Sequence, residues 1–297
     1  MSAFSPIFYF QGKEKLGIVT VAEIIVALLT LSLIAIGIKS ASDFEKLPAI
    51  LLGARAIGLF LMIFRLRQNL DAGDRWFDGS MGLKMIREGF SLFVFQGAVT
   101  FYTSFNVVMV GFFCPQTAVG AYAAADKLMK IPLVFIGQAS AVVFPRMNSL
   151  KADGSVKLRK IRLVALAAFA LLGLAATLAT ILLSPMVIRL LFSGRIEGID
   201  KTLRVMALAA PAIAVNWVLA FHYVVVDKKE KILNYVMATA GLVNIALGYL
   251  LIVKMGAIGM AWSWVTVEWL IALALGLVVI TRSRIDSDIS IQPELRQ

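Results

Sequence analysis

Leu163-Val164-Ala165-Leu166-Ala167-Ala168-Phe169-Ala170-Leu171-Leu172-Gly173-Leu174-Ala175-Ala176-Thr177-Leu178-Ala179-Thr180-Ile181-Leu182-Leu183 carries no charge and scarcely a polar group. A helix needs about 20 such residues to cross the hydrocarbon of a bilayer. A barrel strand needs about half that length and alternates polar with apolar side chains, which this run does not. The reading is a transmembrane helix. Seven more runs of the same kind surround it: Leu16 to Ile38, Leu47 to Phe64, Phe90 to Phe113, Val119 to Pro145, Val205 to Val226, Ile232 to Val253 and Gly256 to Ile280. The fifth run is open to extension past Pro185 as far as Phe192. The sequence therefore predicts an all-α polytopic membrane protein with about eight crossings.

Composition agrees. Of 297 residues 60% are hydrophobic, and the mean hydropathy is +0.87, against roughly 45–50% apolar residues in soluble domains. Eight crossings consume about 160 residues, so no large catalytic domain fits outside the membrane. Lys and Arg outnumber Asp and Glu by 29 to 18, and in a membrane protein such an excess sets orientation rather than nucleic-acid binding. Taking alternate loops, 19 basic residues fall on one side and seven on the other. That bias predicts both termini in the cytoplasm. The first run is too long for the 7–15-residue core of a signal peptide, so it is expected to remain as a crossing. Cys114 and His222 are each the single residue of their type, which gives neither a disulfide nor a cysteine- or histidine-based metal site. No phosphate-binding loop, dinucleotide fingerprint or nucleophile elbow is present. The chain reads as a non-enzyme without a soluble cofactor.

Ionisable groups at membrane depth are costly and tend to face a partner, a cavity or a pathway. Glu23 in the first crossing and Arg55 in the second either pair across a hairpin or line a polar cavity. Arg55 also suits bidentate contact with phosphate oxygens. The fourth crossing opens Val119-Gly120-Ala121-Tyr122-Ala123-Ala124-Ala125-Asp126-Lys127-Leu128-Met129-Lys130. Lys127 and Lys130 share a face there, and Asp126 stands four residues before Lys130, the order that favours an ion pair. Both lysines either snorkel to the interface or face a cavity beside Pro132, Gly137 and Gln138. Gln96, Ser104, Asn106, Asn216, Asn234 and Asn244 read as interhelical hydrogen-bonding groups. Glu268, a charge in the last crossing, is a candidate for ion coupling.

The opening Pro6-Ile7-Phe8-Tyr9-Phe10-Gln11-Gly12-Lys13-Glu14 resembles the Pro-x-Trp-x-Phe-Gln-Gly-x-Glu stretch of the Wzx-type polysaccharide flippases of the MOP superfamily, with Phe8 where that family usually has Trp. Further along, Asn106-Val107-Val108-Met109-Val110-Gly111, the Val119 to Leu128 helix start, Phe144-Pro145-Arg146 and Gly256-Ala257-x-Gly259-x-Ala261 continue the likeness in order. Family members usually have about twelve crossings in two lobes. By that register this chain corresponds to crossings five to twelve: residues 1–80 to the end of the first lobe, 81–282 to a six-helix second lobe and 283–297 to a cytoplasmic tail. The missing four helices point to a partial gene, a misplaced start or a separate partner chain.

The resemblance implies a MATE-like half with two helices of the other lobe, located in the bacterial inner membrane. It implies alternating access around a cation-lined cavity that moves an undecaprenyl-diphosphate-linked oligosaccharide between leaflets. Arg55, Lys127, Lys130 and Asn106 are then the expected substrate-path residues, and Glu23, Glu268 and Asp126 the expected sites of proton or sodium coupling. Expected partners are the lipid-linked oligosaccharide, membrane lipids, a polysaccharide polymerase and the export machinery. The competing readings are another exporter of the superfamily for drugs or lipids, a membrane polymerase or glycosyltransferase, and an inactive flippase fragment. A cationic-drug exporter calls for acidic cavity groups, and a polymerase for a large outward loop. The candidates here are mostly basic, and the loops are short.

Overall fold

The structure, a computed structural model, describes residues 16–69, 103–152, 157–192 and 197–291, with isolated positions 6, 9, 10, 13, 82, 90, 93, 97 and 100. Every regular element among the described residues is a helix. The chain divides into two compact units, residues 1–82 and 83–297.

In the first unit, α1 (Leu16–Gly37) and α2 (Leu47–Asn69) form a hairpin joined by a 3₁₀ turn at Ala41–Lys46. The Asp43 carboxylate accepts from the backbone N–H groups of Lys39 and Ser40 at 3.2 and 3.0 Å, which fixes the reversal by satisfying donors at the start of the turn.

The second unit begins, as described, with α3 (Thr103–Phe113). It is followed by α4 (Gln116–Ala152), α5 (Lys157–Phe192), α6 (Ile199–Ala207), α7 (Ala210–Trp217), a π-helical segment (Val218–Val225), α8 (Glu230–Met255) and α9 (Ala257–Ile291). Seven stretches of the described chain are long and apolar enough to span a bilayer, and α3 is a shorter apolar helix. The expected third crossing from Phe90 is thus seen from Thr103 onward, its earlier part lying largely outside the described residues. Two expected ends move outward: α5 does pass through Pro185 to Phe192, and α9 continues beyond Ile280 to Ile291.

The expected sixth crossing is not one uniform helix. It is α6, α7 and the π segment in series, and 72% of its apolar window is buried, against 11–33% for the other spans. It is the centre of the second unit. The interruption has a chemical cause in Pro211, which cannot donate to the carbonyl four residues back, at Ala207. Around it Leu208 and Ala209 make tighter bonds, to Val205 and Met206 three residues back. Neighbouring helices take the two loosened carbonyls, as they must where no water is at hand. Thr177 Oγ1 of α5 donates to Ala207 at 2.7 Å, and the Trp269 indole of α9 donates to Leu208 at 3.1 Å. Gly173 allows α5 to come this close: a Cβ there would lie 2.6 Å from the Pro211 Cα and 2.8 Å from the Ala210 oxygen.

The α8–α9 turn explains the Gly256-Ala257-x-Gly259 pattern. Gly256 has φ +63°, in the left-handed region that glycine adopts without a Cβ penalty. Gly259 lies directly against the Leu251 backbone, where a side chain has no room.

Candidate functional site

Helices α3, α4, α7, α8 and α9 together enclose a cavity of about 230 Å³. Four of them bring polar side chains to an otherwise apolar wall: Thr103 and Asn106 from α3, Asp126 and Lys130 from α4, Asn216 from α7 and Glu268 from α9, while α8 adds Met237. At 1.5 Å per residue, Lys130 lies about 21 Å along α4 and Glu268 about 16 Å along α9. In a hydrocarbon core about 30 Å thick, that is near mid-depth.

The polar groups are organised in three sets. Asn244 Nδ2 donates to Asn106 Oδ1 at 2.6 Å, while Ser263 Oγ donates to the carbonyl and side-chain oxygens of Asn244 at 3.1 and 3.2 Å. This set ties α3, α8 and α9 together at the cavity. Next, Asn216 Nδ2 donates to Glu268 twice, to its backbone oxygen and to Oε2, both at 3.1 Å. Finally, Lys130 Nζ meets Asp126 Oδ2 at 2.6 Å, the i,i+4 pair that the spacing allows. Trp217 and Phe221 supply a wide aromatic wall, their rings 5.3 Å apart and tilted by 31°. Trp217 packs 3.2 Å from where a Cβ on Gly137 would stand, so that glycine makes room for the indole.

The expected site residues do not all converge. Lys130, Asp126, Asn106 and Glu268 line the cavity; Lys127 is exposed on α4 outside its lining, and no ion pair engages it among the described residues. In the other unit Arg55 Nη1 stands 3.4 Å from Glu23 Oε2, the cross-hairpin pair that is one of the two readings of those residues. Both side chains are well exposed.

Two further polar clusters escaped the sequence reading. At one end of the second unit Asp227 accepts from Arg162 Nη2 at 3.0 Å and faces Lys151 Nζ at 3.1 Å, joining the ends of α4 and α5 to the loop before α8. Burial raises the Asp227 carboxyl, but the two cations outweigh it and hold the group below the ordinary carboxylate value. The Arg162 guanidinium also lies over the Tyr223 ring, 4.6 Å from its centroid, a favourable cation–π geometry. The second cluster is the fully buried His222 of the π segment, whose Nε2 is 3.1 Å from Ser140 Oγ on α4.

Membrane-length helices packed around a cavity that carries a few polar side chains define a polytopic membrane protein. The chain belongs to the family described as polysaccharide biosynthesis protein, which matches residues 1–151. It is 28% identical over 279 residues to a Shigella dysenteriae protein described as "Putative O-antigen transporter", an alignment covering 92% of this chain and 68% of the relative. An Escherichia coli K12 protein with the same description is 22% identical over 280 residues, covering 90% of this chain and 64% of the relative. The chain thus spans about two thirds of the length of these relatives. No solved structure matches it significantly.

Proposed function

We propose that this chain serves in the bacterial inner membrane as the carrier, or as most of the carrier, that moves an undecaprenyl-diphosphate-linked oligosaccharide from the cytoplasmic to the periplasmic leaflet for polysaccharide export. The observation that carries the reading is the polar cavity at mid-depth of the second unit, in a member of a polysaccharide biosynthesis family. Sugars and diphosphate cannot cross hydrocarbon unaided, because each unpaired polar group there costs several kcal/mol. A chamber that offers partners lowers that barrier.

Within this reading the charged residues separate by what already answers them. Lys127, exposed and in no ion pair among the described residues, is the leading contact for the diphosphate, with Arg55 beside Glu23 as a second. Lys130 is answered by Asp126 and acts at the cavity wall with Asn106. Glu268 is the candidate for proton or sodium coupling, Asp126 and Glu23 standing behind it. The working partners are the lipid-linked oligosaccharide and a polymerase that consumes it, with a separate chain supplying further helices where the unit requires them. The distribution of basic residues supports an orientation with both termini in the cytoplasm.

The test is reconstitution of the full chain in liposomes carrying a lipid-linked oligosaccharide in one leaflet, followed by a lectin that reads the opposite face. Protein-dependent appearance of sugar supports the reading. Its absence both from the chain alone and from the chain reconstituted together with the part of the Shigella relative outside the alignment, with the protein folded and the full-length relative active in the same assay, overturns it.

A further inference from the structure

Asp227 meets two cations with one carboxylate oxygen: Arg162 Nη2 at 3.0 Å and Lys151 Nζ at 3.1 Å both contact Oδ1. One positive charge is therefore left over where the ends of α4 and α5 join the loop before α8. Lys151 remains half exposed, and its ammonium has three donors, of which Asp227 engages one. More positive charge stands beside it. Arg159 lies one helical turn before Arg162 on α5, about 5–6 Å away between Cβ atoms, and Lys228 follows Asp227 directly in the chain. Both are exposed, and neither is in an ion pair among the described residues. The described acids of these three segments are Asp227 and Glu230, so the surface is left strongly basic.

Lys228 adds an independent observation. Its φ is +56°, the one positive value at a non-glycine residue among the described residues, and its N–H closes the turn on the Val225 carbonyl at 2.8 Å. Glycine or asparagine ordinarily takes this left-handed position at a helix end, because a Cβ is disfavoured there. Strain of this kind gathers at ligand clamps and switch regions. What glycine cannot supply at this point is the ammonium.

The position of the patch indicates what it meets. The membrane-length stretches end or begin here, at Lys151, Leu158, Val225 and Glu230, the level at which a bilayer presents its headgroups. A charge bias that only set orientation is satisfied by cations anywhere in the loops. Here they come from three separate segments and gather around one shared carboxylate. Basic clusters between helices at such ends hold anionic lipid headgroups, each Lys or Arg near the surface adding to the attraction.

We propose that this surface binds the phosphate headgroup of an anionic bilayer phospholipid, with Lys151, Arg159 and Lys228 as its contacts. Asp227 positions Lys151 and Arg162 for it. The site goes beyond the transport reading and does not depend on it.

The test is native mass spectrometry of the full chain in neutral detergent, with phosphatidylglycerol and phosphatidylcholine of the same acyl chains offered in equal amounts. Wild type is expected to retain phosphatidylglycerol about fivefold or more over phosphatidylcholine. Arg159→Gln and Lys228→Gly are each expected to lower that preference about threefold or more. Lys228→Gly is expected to do so while keeping or raising the melting midpoint, because it relieves the backbone as it removes the charge. Should it fail to fold, Lys228→Asn, which also tolerates the left-handed conformation, replaces it. Lys254→Gln, an exposed charge removed from the opposite end of α8, is expected to leave the preference unchanged. Inorganic phosphate and a polyprenyl diphosphate are added as competitors in two further arms, and neither is expected to displace phosphatidylglycerol at equal concentration. Displacement by free phosphate, or preferential retention of the polyprenyl diphosphate that the same variants abolish, assigns the patch to another source and overturns the proposal. No preference for phosphatidylglycerol, a preference untouched by Arg159→Gln and Lys228→Gly, or one lowered equally by Lys254→Gln overturns it as well. The liposome assay decides the transport reading separately, because it reads sugar movement and not headgroup retention.

Discussion

Asn244 Nδ2 donates to Asn106 Oδ1 at 2.6 Å across 138 residues of sequence, and both side chains are buried, at 0% and 3% exposure. The bond fixes α3 against α8, and Ser263 extends it to α9. Replacing Asn244 by Leu strands the Asn106 oxygen and removes one acceptor of Ser263. The expected loss of stability is about 1–2 kcal/mol, above the membrane average because the site is deeply buried. A lowered midpoint in thermal unfolding of the detergent-solubilised protein checks it, and an unchanged midpoint contradicts it.

Close packing at the interrupted central span ranks a set of glycine substitutions. Gly173→Ala drives a Cβ into the Pro211 and Ala210 backbone, which cannot swing aside as a side chain can. Gly259→Ala does the same to Leu251. Each is expected to cost about 1–3 kcal/mol. Gly111→Ala and Gly276→Ala meet nothing within 4 Å and gain slightly from helix propensity. Parallel melting curves for the four variants give the order directly; equal midpoints contradict the packing.

The Thr177 hydroxyl replaces the hydrogen bond that Pro211 cannot make. Thr177→Val keeps the shape and leaves the Ala207 carbonyl without that donor, at an expected cost of about 1–3 kcal/mol. The double variant Thr177→Val with Pro211→Ala restores a backbone donor to Ala207. It is therefore expected to be less destabilised than the sum of the singles, a coupling that a double-mutant cycle reads.

Asp227 gives the pH dependence its sign. Its carboxyl is held below the ordinary value despite burial, so the clamp to Arg162 and Lys151 stabilises the fold fully above the unfolded carboxylate value, about 3.9. That contribution is lost as pH falls through the lower folded value. Wild type is expected to lose more stability between neutral pH and pH below about 4 than Asp227→Asn, which is weaker at neutral pH and flatter in acid. Melting midpoints across that range decide it, and parallel profiles contradict the clamp.

How much of this was legible depended on the range of the interaction. The spans were readable because hydropathy is local: twenty apolar residues such as 163–183 admit few other structures in a bilayer. Pro211 was visible in the sequence, yet its effect was not, because whether a proline bends, breaks or merely loosens a helix depends on who takes the freed carbonyl. Here the takers, Thr177 and Trp269, lie 30 and 61 residues away. The cavity was partly legible. Asp126, Lys130, Asn106, Asn216 and Glu268 stood out as polar residues in apolar runs, whereas nothing in the sequence marks Trp264 as a residue of the cavity wall. Asp227 stands in a charged loop, and nothing in the sequence singles it out. Only the fold showed that one carboxylate serves Lys151 and Arg162 at once.

The lysines of α4 provide the sharpest functional contrast, because two residues of the same type three positions apart differ in what answers them. Lys130 is neutralised by Asp126 at 2.6 Å, and Lys127 is exposed and in no ion pair among the described residues. An unanswered ammonium is the one available to an anionic substrate. Lys127→Ala is therefore expected to lower translocation of lipid-linked oligosaccharide at least several-fold, with Lys127→Arg restoring most of it by keeping the charge. Lys130→Ala leaves Asp126 unpaired near mid-membrane and is expected to lower stability as well as transport, with Lys130→Ala/Asp126→Asn regaining the stability. The liposome assay read beside melting midpoints distinguishes the two residues: equal transport loss in both single variants, with no change in stability, contradicts this division of roles.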